Sequence, residues 1–159
     1  VDAIATYPLY TDIRGNQRRL VLEQLERALP HKEPVALDHL QIEHVLPQTL
    51  TPEWVVMLTG DEAAESEAVA IRERWLHTLP NLTLTGYNPE MANDPWETKR
   101  TYYAASHVEL SRRLAEFERW TETEMAERAD ALAKLALTIW PGPAPSSIEI
   151  ATDDESNSA

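Results

Sequence analysis

Glu43 and His44 are the residues whose types and spacing point most directly to chemistry. They stand side by side in residues 40–48, an alternating apolar run that stops at Pro47. A neutral imidazole can accept a proton near pH 7, and a carboxylate oxygen suits a divalent cation. Neighbouring side chains of a strand point to opposite faces, but both can reach one site where the strand ends and the backbone turns. The pair therefore indicates the part of a nuclease active site that contains the general base and a metal ligand.

Such a pair is weak evidence alone, because a histidine beside an acid is more often a structural residue with a satisfied hydrogen bond. The elements that follow it strengthen the hypothesis. Residues 79–85 alternate polar and apolar side chains, which predicts a second short strand, and residues 86–89 are typical of a turn. Asp94 and Pro95 then predict the start of a helix that ends near Ala105. The order of strand, excursion, strand, asparagine-bearing loop and helix favours a joint site.

The remaining elements are predicted to be helices, because apolar side chains recur at helical spacing and Pro52 suits a first helical position. Ser106 with Glu109 and Thr121 with Glu124 have the spacing of capping boxes. We expect helices over residues 16–29, 61–75, 107–119 and 122–140, and one that begins at Pro52. The sequence therefore predicts an α+β fold that is mostly helical.

Length and composition exclude several classes of protein. A chain of 159 residues suits one domain with a single sizeable core, and the absence of cysteine excludes disulfides and thiolate zinc sites. A metal ion would have to bind histidine, carboxylate or amide oxygen, and a set dominated by oxygens favours Mg²⁺ or Mn²⁺. No run is long and apolar enough to cross a membrane, and no signal-peptide pattern opens the chain.

The formal net charge of −13 argues against strong non-specific DNA binding, since that binding depends on basic side chains that neutralise phosphates. Contact with DNA therefore requires a local basic face or delivery by another domain. Four arginines decorate the first long helix, and their favoured interpretation is a solvated face, with a phosphate-contacting role as the alternative. These residues are Arg14, Arg18, Arg19 and Arg27.

Residues 42–48, IEHVLPQ, and residues 76–88, LHTLPNLTLTGYN, are followed by Asn93 and by Lys99 with Arg100. In this combination and order they resemble the C-terminal HNH nuclease domain of GmrSD-type restriction endonucleases. The resemblance implies a ββα-metal (His-Me finger) core of two short strands plus a helix, surrounded by additional helices. It also implies a metal-dependent DNA endonuclease that nicks or cuts with low sequence specificity, as the effector of a restriction or antiphage defence protein.

The resemblance implies a catalytic or metal-binding role for four residues. His44 corresponds to the general base that takes a proton from the attacking water, and Glu43 corresponds to the acidic metal ligand. Asn88 is the first choice for the amide ligand, with Asn93 as the substitute. The metal ion implied is Mg²⁺, with Mn²⁺ as the alternative.

Further residues have supporting roles in the same comparison. Asn81 and Gln48 are predicted to orient the loop that carries His44, and a ligand role for Asn81 is the less favoured alternative. Lys99 and Arg100 are predicted to bind phosphate, with a surface salt pair as the alternative. His77, just before the second strand, is expected to be a core residue or to contact the site residues without binding the metal ion or the substrate itself.

Two positions depart from the usual pattern of the family. Many relatives have Asp at the position of Glu43, and the longer side chain shifts a bound metal ion. Relatives also commonly have Gly at the position of Pro80, whose ring fixes the backbone before Asn81. Neither departure removes a functional type of atom, so the enzyme hypothesis is kept.

The resemblance covers roughly residues 7–143, and residues 1–143 are interpreted as one nuclease domain. Residues 144–159 are expected to be an acidic, disordered tail. Because the chain begins with Val1, we expect a C-terminal fragment of a larger protein. The resemblance implies DNA and an N-terminal ParB-like nucleotide-hydrolysing domain of the same chain as partners, no membrane contact, and a cytoplasmic location of bacterial type.

The alternative hypothesis is a non-catalytic helical module that docks partners or restrains a sensor domain of a larger defence protein, and it explains the acidic charge directly. Geometry discriminates the two, because a catalytic centre needs Glu43, His44 and an asparagine oxygen to converge on one accessible point. An RNase on the same core is a weaker alternative that only a substrate assay separates.

Overall fold

The computed structural model describes residues 2–86 and 91–142. In chain order its elements are α1 (Asp2–Thr6), α2 (Leu9–Asp12), α3 (Gly15–Ala28), β1 (Gln41–His44), α4 (Pro52–Thr59), α5 (Glu65–Trp75), a 3₁₀ turn (Leu79–Asn81), β2 (Leu82–Thr85), α6 (Trp96–Ala105), α7 (Glu109–Arg112), a second 3₁₀ turn (Arg113–Glu116) and α8 (Glu122–Ile139). The prediction of a mostly helical α+β fold with two short strands is confirmed.

Strands β1 and β2 form an antiparallel pair in which Gln41 lies opposite Thr85 and His44 lies opposite Leu82. The long excursion between the strands contains α4 and α5. The end of β1 therefore lies beside the start of β2, so residues just before β2 can come close to His44.

Two apolar cores pack against this pair of strands. The first packs α3, α8 and β2 together, and its buried members include Leu22, Leu25, Leu82, Leu84 and Leu132. The second gathers three tryptophans around the chain that directly follows β1, with Val45, Leu46, Trp54, Trp96 and Trp120 among its buried members. Because β2 belongs to one core and the segment after His44 to the other, the end of β1 is fixed from both sides.

Several helix ends follow from local chemistry. The capping box of Thr121 with Glu124 is confirmed and opens α8. Helix α4 begins at Pro52 as predicted and ends at Thr59, and its C-cap is Gly60, whose φ of 77° lies in the left-handed region that favours glycine. Asp94, in contrast, does not cap α6, because the N-terminus of that helix has no side-chain cap.

The helix predicted over residues 107–119 is much shorter, because α7 is a single turn and a 3₁₀ turn follows it. The capping box predicted at Ser106 is also wrong, since no side-chain cap of this kind is present. Instead, the carboxylate of Glu26 in α3 accepts hydrogen bonds of 2.8 Å from the amides of Glu109 and Leu110. A tertiary contact therefore takes the place of the local cap.

Within the two described ranges, no helix combines the length and the apolar character that a membrane span requires.

Candidate active site

His44 is the last residue of β1, and its side chain is 6% exposed. Its ring lies edge-on to the ring of Tyr10, with centroids 4.5 Å apart. Its Nε2 lies 3.4 Å from Nδ1 of His77. This separation exceeds the usual hydrogen-bond range of about 2.7–3.2 Å, so the two imidazoles touch but are only weakly bonded. We refer to His44 and His77 as the histidine pair.

His77 reaches His44 because the chain folds back after α5. The backbone amide of Tyr10 donates to the carbonyl of His77 over 3.0 Å, and the two rings stack with centroids 5.5 Å apart. The side chain of His77 is half-buried, whereas that of His44 is buried. His77 is therefore the member of the histidine pair that is open to solvent.

Both members of the histidine pair resist protonation. Burial lowers the pKa of His44 to about 4, and the charges of His77, Lys99 and Arg18 act in the same direction. Burial also lowers the pKa of His77, assisted by Arg18 and Arg72. Both imidazoles are consequently neutral at pH 7, and a neutral imidazole has a lone pair that can accept a proton.

Asn81 ties the loop that follows His44 to the start of β2. Its side-chain oxygen accepts a hydrogen bond of 2.7 Å from the amide of Leu46, and its nitrogen donates to the carbonyls of Leu46 at 3.1 Å and Leu76 at 3.0 Å. The indole of Trp120 donates to the same oxygen at 3.3 Å. These buried contacts are those that a loop-orienting residue requires, and an oxygen with two donors is a poor candidate for a metal ligand.

Glu43 has a different set of neighbours from His44. Its Oε1 accepts a hydrogen bond of 2.6 Å from Nζ of Lys99, and the same ammonium donates to the carbonyls of His44 at 2.9 Å and Val45 at 3.1 Å. Lys99 is fully buried and Glu43 is 3% exposed. Burial raises the pKa of Glu43 and lowers that of Lys99, while the attraction between the two charges opposes both shifts. The two side chains form a buried ion pair between β1 and α6.

A family model described as the C-terminal domain of GmrSD restriction endonucleases matches residues 4–135, most of the chain. The chain belongs to this family. The resemblance seen in the sequence is thereby confirmed, and it connects the domain with restriction endonucleases. The comparison with curated proteins found no match, and the comparison with solved structures also found none.

In this GmrSD C-terminal domain, the two residues predicted to bind phosphate lie on α6 and donate hydrogen bonds to main-chain carbonyls. Lys99 is fully buried, and its ammonium already donates three hydrogen bonds, so it has no donor left for a phosphate. Arg100 is half-buried on the same helix, and its Nε donates to the carbonyl of Ala115 at 2.9 Å. The reason is tertiary, because α6 packs against β1 and the second 3₁₀ turn, where these side chains find acceptors.

The other predicted site residues are more dispersed. Gln48 is exposed, and its main-chain carbonyl accepts a hydrogen bond from Arg72, which holds the loop after His44 from the side of α5. Asn93 is exposed in the short segment before α6. Asn88 lies outside the described residues.

The donor set of this family member suits a hard cation only in part. Within the described ranges, no three histidine or carboxylate side chains gather into a group that could hold a metal ion. The carboxylate of Glu43 has the oxygen chemistry that Mg²⁺ prefers. One of its oxygens is engaged by Lys99 at 2.6 Å, so a metal ion at Glu43 must share the carboxylate with the ammonium or displace it.

The histidine pair lies apart from a cavity of about 800 Å³ at the opposite end of the strand pair, where Leu40 and Gly86 contribute to the lining. Neither member of the histidine pair lines it. The candidate site is thus identified by its chemistry and by the constraint on its backbone.

Three residues at this site have no counterpart in the sequence prediction of the site, namely Tyr10, Arg18 and Arg72. Tyr10 contacts both imidazoles, Arg18 lowers the pKa of both, and Arg72 lowers the pKa of His77. No local spacing connects positions 10, 18 and 72 with position 44, because the contacts arise from the packing of three separate helical segments. The arginines on the first long helix were a partial signal, since one of them is Arg18.

Proposed function

We propose that this domain hydrolyses DNA phosphodiester bonds as an endonuclease, with His44 as the general base. The observation that carries the proposal is the neutral imidazole of His44 at the end of β1, in contact with the half-exposed imidazole of His77. The family of restriction endonucleases supports the same reaction class. The proposal includes nicking or cutting with low sequence preference, in the HNH manner, as the effector of a restriction or antiphage defence protein.

In the proposed reaction, His44 takes a proton from water while the water oxygen forms a bond to phosphorus. The bond between phosphorus and the leaving sugar oxygen breaks, and this oxygen takes a proton from solvent. His77 then accepts the proton from the His44 imidazolium and releases it to solvent, since His77 is the open member of the pair. One water is consumed and both imidazoles return to the neutral state. A positioned base of this kind typically contributes about 10²–10⁴-fold in rate.

We also propose that the reaction requires Mg²⁺ or Mn²⁺, held by the carboxylate of Glu43 and by the amide of Asn88 or Asn93. When bound, such an ion stabilises negative charge on the phosphate and on the leaving oxygen. The second carboxylate oxygen of Glu43 allows the ion pair with Lys99 to persist while a cation is held. Lys99 then has a structural task, because its bonds to the His44 and Val45 carbonyls fix the backbone that carries both residues.

The acidic charge of the chain supports a division of labour within a larger protein. A net charge of −13 disfavours capture of DNA from solution, so we propose that an N-terminal ParB-like nucleotide-hydrolysing domain of the same chain senses and delivers the DNA. In this proposal the protein acts in a bacterial-type cytoplasm.

The test is nicking of supercoiled plasmid by the chain in Mg²⁺, in Mn²⁺ and in EDTA. His44→Ala is expected to lower the nicking rate by about 10²–10⁴-fold, because the base is removed. His107→Ala is the matched control, since His107 is exposed and has no part in the site. Equal rates for His44→Ala and the parent chain would show that the mechanism is wrong, and full activity in EDTA would contradict the metal requirement.

A non-catalytic helical module is the second candidate, and one observation favours it. One carboxylate oxygen of Glu43 is engaged by a buried lysine, and the side chain of His44 contacts His77 instead. In that case neither the parent chain nor a longer protein that includes it would cut DNA through this domain, and His44→Ala would leave the activity of the longer protein unchanged.

A further inference from the structure

Arg18 approaches the histidine pair from α3. Its guanidinium lies over the ring of Tyr10, 3.9 Å from the centroid, and also donates to the carbonyl of Tyr10. Since Tyr10 contacts both His44 and His77, this stacking fixes the cation beside the pair. The side chain of Arg18 is half-buried, so part of it is accessible from solvent.

Arg72 approaches from α5, on a different side. It belongs to the last turn of that helix, and the chain reaches His77 directly afterwards. Its guanidinium donates to the carbonyl of Gln48, in the loop that follows His44. Its Nε is buried and has no hydrogen-bond partner among the described residues. Arg72 therefore spans from the segment before His77 to the loop after His44 and retains an unused donor there.

These two arginines differ from their neighbours on the same helices. Arg27 of α3 forms an ion pair with Glu23 at 3.5 Å, and Arg74 of α5 forms one with Glu122 at 2.5 Å. For Arg18 and Arg72 the structure shows hydrogen bonds to main-chain carbonyls, and within the described ranges neither has a carboxylate partner. A carbonyl orients a guanidinium without neutralising it, so both positive charges remain available to an anion.

We infer that Arg18 and Arg72 bind the phosphodiester backbone of a nucleic acid and hold it against the histidine pair. This inference rests on the proposed function and deepens it, because it assigns the phosphate-binding task to two residues outside the matching motifs. It also resolves the conflict with the net charge of −13, since a local site that is basic can bind a polyanion on an acidic domain.

The electrostatics of the site agree with an anionic ligand. The charge of Arg18 favours the neutral form of both imidazoles, that of Arg72 favours the neutral form of His77, and the same charges attract a phosphate.

Binding, separated from cleavage, tests the inference. The probe is a short fluorescein-labelled DNA duplex, titrated with the whole chain carrying His44→Ala and followed by fluorescence anisotropy over a series of NaCl concentrations. In this background, Arg18→Gln and Arg72→Gln are each expected to weaken binding by about three- to tenfold. Each is also expected to reduce the slope of log K against log salt by about 0.9, the value for one lost phosphate contact.

Arg27→Gln and Arg74→Gln are the matched controls, because each removes the same charge from the same helix and lies in an ion pair. They are expected to change affinity by less than about twofold. Arg18→Lys and Arg72→Lys keep the charge and are expected to recover most of the salt slope, which separates phosphate binding from disturbance of the Tyr10 or Gln48 contacts.

The inference is overturned if Arg18→Gln and Arg72→Gln bind like Arg27→Gln and Arg74→Gln, or if the His44→Ala chain does not bind the duplex. Binding of inorganic phosphate alone, without binding of the duplex, overturns it as well. These outcomes are distinct from a failure of the proposed function, which is read from plasmid nicking by the chain with His44 intact.

Discussion

The two sides of the end of β1 differ in how completely their polar groups are satisfied. On the Glu43 side, a buried carboxylate meets a buried ammonium, and all three donors of Lys99 have acceptors within 3.1 Å. On the His44 side, the nearest nitrogens of the two imidazoles are 3.4 Å apart, one imidazole is half-exposed, and the nearby arginines donate hydrogen bonds to neutral carbonyls. A closed network holds a backbone in place, whereas an open and under-bonded cluster can exchange protons and accept a ligand.

The Lys99 side is expected to show the largest effect on stability. Lys99→Ala leaves the carboxylate of Glu43 buried without a partner and should lower the free energy of unfolding by about 3–5 kcal/mol. Chemical denaturation followed by circular dichroism measures this change. Lys134→Ala is the control, because Lys134 forms an exposed pair with Asp130 and its loss should cost less than about 1 kcal/mol.

A double substitution sharpens the comparison. Glu43→Leu with Lys99→Met removes both charges together and should recover most of the stability, since replacing a buried ion pair by apolar groups is often nearly neutral. A folded double variant that no longer nicks plasmid would show that the pair of Glu43 and Lys99 is needed for activity as well as for stability. Equal losses of stability in the single and the double variant would contradict the view of this side as a charge-balanced pair.

The His44 side should appear instead in the pH dependence of stability. Its pKa falls from 6.5 to about 4 on folding, so the unfolded chain binds more protons between these values. The stability contributed by neutral His44 is present above pH 6.5 and is lost as the pH falls toward 4. Between pH 7.5 and pH 5 the loss attributable to His44 is about 2 kcal/mol.

The measurement compares urea denaturation of the parent chain with that of His44→Gln at both pH values. The Gln variant cannot titrate, so its stability should fall less on acidification by about this amount. His107→Gln serves as the control and should follow the parent chain. If His44→Gln and the parent lose stability in parallel, His44 is not held neutral by the fold.

The sequence predicted the Glu43 side and the His44 side unequally. Local sequence patterns predict the two strands, the general position of His44 and the role of Asn81. Alternation, turn residues and the family motifs are all read from short segments of the chain. The contact of Lys99 with Glu43 is not predicted by them, since it depends on how α6 docks onto β1. For the same reason the sequence predicts a phosphate contact for Lys99. It also predicts a local cap for α7, whose first amides instead donate to the carboxylate of Glu26 in α3.

The neighbours of His44 illustrate the same limit. His77 was expected only as a core or supporting residue, and Tyr10 and Arg72 had no place in the predicted site. Tyr10 reaches His44 from α2 and His77 reaches it from the segment after α5, and both are far from β1 in the sequence. Periodicity defines which face of a helix is apolar, but the tertiary arrangement decides which polar residue at a helix end meets which strand.

The smallest expected effect concerns His77, and it separates a proton relay from a packing role. His77→Gln should slow plasmid nicking by about three- to tenfold, because the His44 imidazolium loses its nearest proton acceptor. The electrostatic interaction with His77 also lowers the pKa of His44. Replacing His77 should therefore raise this pKa and move the acid limb of the nicking rate to higher pH. A residue that merely fills space would leave both the plateau rate and the acid limb nearly unchanged when it is replaced by Gln, which has a similar volume. The pH profile of the first-order nicking rate therefore decides between the two roles, with His107→Gln expected to keep the profile of the parent chain.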